Sequence, residues 1–135
     1  MPMWLSYLAE ASAAIGHIDD ARGRIGEAMT AMETTNERWC EAEVHRAAGE
    51  IALMSPEPDP VKAEAHFKYA LEIARTQRAK SWELRAAMSI ARLWRDQGNR
   101  HQAGDLLAPA YSWFTEGFDT LDLKEAKSLL EELAP

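Results

Sequence analysis

The sequence is poor in the residue types that most restrict a chain. It has one cysteine, Cys40, so no intrachain disulfide can form. A lone thiol fits a reducing compartment, and a cytoplasmic location is expected. Valine is rare and β-branched runs are absent, which argues against strands. No apolar run approaches the roughly 18 residues of a membrane span. The opening stretch MPMWLSYLAEASAAIG lacks a basic leader and carries Glu10, so an amphipathic helix is expected there, not a secretory signal. Basic charge is short: 15 Lys and Arg against 22 Asp and Glu give a net charge of −7 and a pI of about 5.1. That balance repels phosphate backbones at long range, so neither nucleic acid nor membrane is an expected partner. There is no G-x-x-x-x-G-K-[ST] loop and no H-E-x-x-H pair.

What is present is helix-forming. Apolar residues make up 47% and charged residues 27% of the 135, the composition of a folded domain. Alanine is abundant, and it gives up no side-chain entropy in a helix. One domain over 1–135 is expected, all-α, with about seven antiparallel helices.

The first helix is predicted over about Met3–Ile15, with Leu5, Leu8, Ala9 and Ser12 on one face and Gly16 as its cap. The second covers about Asp20–Glu33, with Ala21, Ile25, Ala28 and Met32 inward. Thr34 and Glu37 make a T-x-x-E capping box for a third helix, about Thr35–Leu53, with Trp39, Val44, Ala48, Gly49, Ile51 and Ala52 as burial candidates. The run MSPEPDP, residues 54–60, breaks the pattern, and Asp59-Pro60 restarts it. The fourth helix is predicted over about Pro60–Gln77, with Ala63, Phe67, Ala70, Leu71 and Ala74 inward. The fifth spans about Ser81–Gln97, with Leu84, Ala87, Ile90, Ala91 and Trp94 as its stripe. Asn99 and Gln102 suggest another capping box, opening a sixth helix over about Arg100–Glu116 that Pro109 should kink. Asp122 with Glu125 is expected to cap a last helix, about Leu123–Leu133, with Leu123, Ala126, Leu129, Leu130 and Leu133 on one face.

Three hairpins repeat. Ala9, Gly49 and Ala91 correspond, as do Ala21, Ala63 and Ala103, then Ile25, Phe67 and Leu107, then Ala28, Ala70 and Ala110. Small residues let the two helices of a hairpin approach closely, and the larger residue fills the gap to the next hairpin. One hairpin cannot bury its own apolar face, so hairpins stack.

These columns resemble the tetratricopeptide repeat in a long-period variant. The resemblance implies a right-handed α-solenoid of three hairpins, about 3–33, 35–77 and 81–116, closed by a capping helix at about 122–134. Residues 37–53 and 79–133 also look like the C-terminal helical-repeat region of large bacterial ATPase and adenylate-cyclase-type signalling regulators. That second resemblance implies a sensor or scaffold segment, or a regulatory fragment of a larger protein. The cyclase and NTPase activities do not carry over, because their motifs are absent.

No enzyme, metal or cofactor is expected. His45 with Glu41 one turn before it invites a metal reading, but a solvated His–Glu pair is the plainer one. Cys40 has no histidine placed by spacing to activate it. Glu125, Glu131 and Glu132 read as the polar face of an amphipathic helix rather than catalytic carboxylates. Trp82, Trp94 and Trp113 read as packing rather than a ligand cage.

One constellation remains. In the tetratricopeptide arrangement the first helix of each hairpin lines the concave face. Here that implies Met3, Ser6 and Glu10, then Glu43, Arg46 and Glu50, then Arg85, Met88, Arg92 and Arg95. The last four form one helical stripe by spacing alone. Its three arginines suit two-point recognition of a carboxylate or phosphate, with the glutamates as acceptors opposite. Two readings stay open: the stripe anchors a protein or peptide partner, or it pairs internally, Glu43 or Glu50 with Arg85 or Arg92. The expected function is a protein-binding scaffold in bacterial signalling, with self-association as a homodimer, aided by apolar Trp4, Leu5 and Tyr7, as the alternative.

Overall fold

The structure is a computed structural model and describes residues 17–35, 41–115 and 120–134. Among the described residues the chain is all-helical, without strands. We number the helices α1 (Ile18–Thr35), α2 (Glu41–Met54), α3 (Pro60–Thr76), α4 (Lys80–Asp96), α5 (Arg100–Ser112) and α6 (Leu121–Leu133). The helix predicted over Met3–Ile15, its Gly16 cap, and Glu37, Trp39 and Cys40 lie outside the described residues.

Each inward face predicted for α1, α3 and α6 is buried, apart from half-buried Leu130: Ala21, Ile25, Ala28 and Met32; Ala63, Phe67, Ala70, Leu71 and Ala74; Leu123, Ala126, Leu129 and Leu133. In α5, Ala103, Leu107 and Ala110 are buried. Helix α4 is buried further round than its stripe required. Glu83, Ala86, Met88, Ser89 and Leu93 join Leu84, Ala87, Ile90 and Ala91, because α4 packs against α2, α3, α5 and α6 together. Successive helices pack in pairs, and α2 and α6 each also touch α4. Helices α1, α3 and α5 make no such contact with one another. The described chain therefore has an inner row, α2–α4–α6, and an outer row whose members are separated by grooves. The main core lies between α3, α4, α5 and α6, and smaller clusters join α1 to α2, one of them touching Trp82.

The boundaries show which local signals act. Asp59 is the N-cap of α3: its side chain accepts from Lys62 N at 3.0 Å, with Pro60 at the first helical position. Ser55 Oγ donates to the Ala52 and Glu57 carbonyls and Asp59 N donates to Ala52 O, which ties the Pro-rich loop onto α2. Three predicted caps differ. Helix α1 continues through Thr35, so Thr34 is not an N-cap. Asn99 stands at the N-cap of α5 without a side-chain cap bond. Helix α6 starts at Leu121, with Thr120 as N-cap, so Asp122 and Glu125 fall inside it and serve elsewhere. Helix α5 passes Pro109 and ends at Ser112, short of the predicted Glu116. Pro109 withholds the amide that would have bonded the Asp105 carbonyl, weakening the last turn.

The α3–α4 and α4–α5 turns are the same Schellman motif. Arg78 N donates to Arg75 O and Ala79 N to Ala74 O; Gly98 N donates to Arg95 O and Asn99 N to Trp94 O. The left-handed residue is Gly98 (φ +87°) in one and Arg78 (φ +56°) in the other. The α2–α3 pair has its own tight point. A Cβ on Gly49 would lie 2.5 Å from Phe67 Cε1 and 3.1 Å from the Ala63 carbonyl oxygen. Only glycine allows this approach.

Candidate functional site: a charged wall on the inner helix row

The predicted stripe on α4 faces both neighbours in the inner row. Glu43, 1% exposed, is the deepest charge. Arg46 grips it from its own helix, Nε to Oε1 at 3.1 Å and Nη2 to Oε2 at 3.2 Å. Arg85 Nη1 reaches the same carboxylate from α4 at 3.1 Å, and its Nε binds Asp122 on α6 at 2.9 Å. Glu50 accepts from Ser89 at 2.8 Å and lies 3.8 Å from Arg46. Arg92 pairs with Glu125 at 3.3 Å, and Arg95 with Glu132 at 3.0 Å and Asp96 at 3.1 Å.

The order of these pairs sets direction. Glu43 and Glu50 meet Arg85 and Ser89, while Asp122, Glu125 and Glu132 meet Arg85, Arg92 and Arg95. Residue numbers rise together on all three helices, so α2, α4 and α6 run parallel, as alternate members of an antiparallel stack must.

Internal pairing between Glu43 and Arg85 is realised. The acids of α6 supply the rest of the ladder: Glu125 and Glu132 stay exposed, as expected of a polar face, and Asp122, expected as a cap, is half-buried against Arg85. Across the inner row, four guanidinium groups (Arg46, Arg85, Arg92, Arg95) meet five carboxylates (Glu43, Glu50, Asp122, Glu125, Glu132). The wall is close to neutral, not the donor-rich surface that α4 alone suggests. Met88 is 2% exposed and packs inward. Glu10 lies outside the described residues.

One place in the ladder is mismatched. Positions 85, 88, 92 and 95 on α4 step in phase with 122, 125, 129 and 132 on α6. Arginine then meets acid at the two ends, but Met88 falls opposite Glu125 and Arg92 opposite the buried Leu129. Arg92 reaches back one turn to Glu125, and both side chains of that pair stay about two-fifths exposed. A recess of about 300 Å³ opens here, lined by Arg46, Arg85, Met88, Arg92, Leu121, Asp122 and Glu125. Leu121 stands at its lip, 70% exposed.

The tryptophans do not converge. Trp82 packs beside Ala28, Met32 and Val44. Trp94 Nε1 donates to Glu64 at 2.6 Å, which holds the Glu64 carboxyl below its usual pKa, and Lys68 sits over the indole. Trp113 is exposed beside Phe114 and under Lys80.

A second polar cluster lies between α2 and α3. His45 Nδ1 and His66 Nδ1 are 3.3 Å apart, the edge of Tyr69 meets the His45 ring, and Tyr69 Oη donates to Glu41 Oε1 at 3.2 Å. Burial first, then His66, lowers the His45 pKa, against an opposing pull from Glu41. Burial first, then Lys62, lowers that of His66. Sequence spacing paired His45 with Glu41 on one helix. It had no means of finding His66, 21 residues away, because the contact exists only once α2 and α3 pack.

No protein-family model, no curated protein and no solved structure matches this chain.

Proposed function

We propose that this chain is a non-catalytic interaction module, a right-handed solenoid of tetratricopeptide-like hairpins, that binds a peptide or partner domain along the α2–α4–α6 wall. The observation that carries the reading is the mismatched pair at Arg92. An exposed ion pair is worth only about 0–1 kcal/mol, so a partner carboxylate displaces Glu125 from Arg92 at little cost. The neighbouring recess, with Met88 in its lining and Leu121 at its lip, suits one apolar side chain of the same partner. A short segment with an acidic residue next to a large apolar one fits this chemistry best. The inner row, with its small-residue columns behind it, supports the solenoid reading, since the grooves between α1, α3 and α5 are what a curved stack of hairpins leaves on its outer side.

The test is affinity capture by the unaltered chain and by Arg92→Glu, with circular dichroism to check the fold. A partner retained by the first and lost by the second is the expected result. Equal capture by a folded Arg92→Glu removes the wall from the binding surface.

A further inference from the structure

The histidine pair at the α2–α3 contact has no part in the wall. We propose that His45 and His66 form a two-imidazole site for a tetrahedral divalent metal ion, zinc, with water completing the coordination.

The distance is the first argument. Two nitrogens bound to one tetrahedral zinc at 2.0–2.1 Å lie about 3.3–3.4 Å apart. The Nδ1 atoms of His45 and His66 are 3.3 Å apart. Two imidazoles are ligands that suit zinc and cobalt(II). The ring centroids are 5.5 Å apart, so both Nδ1 atoms lie on the facing sides of their rings. The two Nδ1 atoms point nearly at each other, and metal binding requires both rings to turn about the broad histidine χ2 until their lone pairs meet at a common point.

The surroundings are the second argument. The His45 ring is held: it meets Tyr69 in a T-shaped contact, and Tyr69 is tied to Glu41. The Glu41 carboxylate, one turn before His45, offsets part of an incoming positive charge, while Lys62 near His66 opposes it. Both rings favour the neutral, ligating form. His66 also lines a groove of about 540 Å³ bounded by α1, α2 and α3, which opens its side of the pair to solvent. Among the described residues no third metal-binding side chain joins the pair, which is why water completes the shell.

The proton balance is simple. The free pair shares one Nδ1–H···Nδ1 hydrogen bond. On binding, the donor ring moves that proton to its Nε2 through solvent and both Nδ1 lone pairs go to the metal. With both rings neutral at the start, no net proton is released.

Metal-free full-length protein is titrated calorimetrically with zinc chloride and, in parallel, with cobalt(II) followed by visible absorption. Saturable one-to-one binding and the absorption of a tetrahedral cobalt centre are expected. His45→Gln and His66→Gln should each weaken zinc binding by at least about tenfold, the scale of losing one of two ligands. The double variant His17→Gln/His101→Gln and the variant Cys40→Ser should bind as the unaltered chain does. If His45→Gln fails to fold, the half-exposed His66→Gln and histidine ring resonances in the unaltered chain decide, with only those of His45 and His66 shifting on zinc addition. Absence of saturable binding overturns the proposal. So does binding that survives His66→Gln in a folded protein, or that is lost with Cys40→Ser.

Discussion

Gly49 offers the sharpest quantitative test of how the hairpins are spaced. In an open helical position, Gly→Ala stabilises by about 0.8–1.0 kcal/mol through propensity. At Gly49 the new methyl would lie 2.5 Å and 2.7 Å from Phe67 ring carbons and 3.1 Å from the Ala63 carbonyl oxygen. Phe67 is fully buried and the carbonyl belongs to the α3 backbone, so neither can yield without moving the helix. Overpacking of this kind costs roughly 1–3 kcal/mol and occasionally more. The clash wins over propensity, and a net loss of up to about 2 kcal/mol is expected. For a chain of this size that lowers Tm by up to about 8 °C. Gly104 in α5 is the control, because nothing lies within 4 Å of its added Cβ. Gly104→Ala should gain up to about 1 kcal/mol. The α4–α5 pair carries Ala91 and Leu107 where the α2–α3 pair carries Gly49 and Phe67, a larger residue exchanged for a smaller partner. Gly49→Ala/Phe67→Leu should therefore be less destabilised than the sum of its single variants, by at least about 1 kcal/mol. Urea denaturation of the four variants measures all of this. If Gly49→Ala gains stability as Gly104→Ala does, or the double variant is simply additive, close approach at Gly49 does not set the α2–α3 spacing.

Three further outcomes follow from the same structure. Arg78→Gly should stabilise by about 0.5–1 kcal/mol by removing side-chain strain at a left-handed position, and Gly98→Ala should lose about 1 kcal/mol at the equivalent turn, both read by thermal melts. Arg85→Met should cost about 2–4 kcal/mol because it strips partners from buried Glu43 and from Asp122, whereas Arg92→Met should cost under about 1 kcal/mol; equal losses in chemical denaturation would contradict the described ladder. His45 and His66 have lowered folded pKa values against an unfolded value near 6.5, so below that pH the unfolded chain binds more protons. Their contribution to stability is complete above about pH 6.5 and falls as pH drops toward the folded values, with the loss reduced by solvent screening of the half-exposed rings. A His45→Gln/His66→Gln variant that keeps the full acid sensitivity would refute the assignment.

The apolar framework was legible because its periodicity is local. Ala63, Phe67, Ala70, Leu71 and Ala74 follow from helical spacing alone, and all five are buried. Two features of α4 and its neighbours were not legible. One is the helix with many neighbours: Met88, Ser89 and Leu93 are buried because α4 is covered on several sides, and a single amphipathic stripe cannot report that. The other is competition for a polar side chain. Asp122 and Glu125 have the spacing of a cap box, yet the arginines of α4 take both. Asp59 caps as expected because it has no comparable rival among the described contacts. Arg78 shows a third limit. A Schellman turn can form around arginine when the flanking bonds and packing hold it, so the absence of glycine hid the type of this turn, though not the break between Gln77 and Ser81.

The two layers of the molecule are specified by different interactions, and that difference bears on function. Shape sets the spacing within hairpins, through small residues opposite large ones. Charge sets how the inner helices align, since shifting α4 by one turn along α6 would place Arg85 or Arg95 against the wrong partner. Desolvated pairs such as Glu43 with Arg46 and Arg85 gain little net stability over an apolar substitute, yet they penalise every other alignment strongly. A fully matched ladder would leave no group free to exchange. The out-of-phase step at Met88 and Arg92 breaks the pattern once, at mid-wall, where among the described residues Arg92 is held by one exposed carboxylate. If Arg92 binds a partner as proposed, the matched ends keep the helices aligned while the mismatched middle exchanges carboxylates, and binding there is gained or lost without disturbing the fold that presents it.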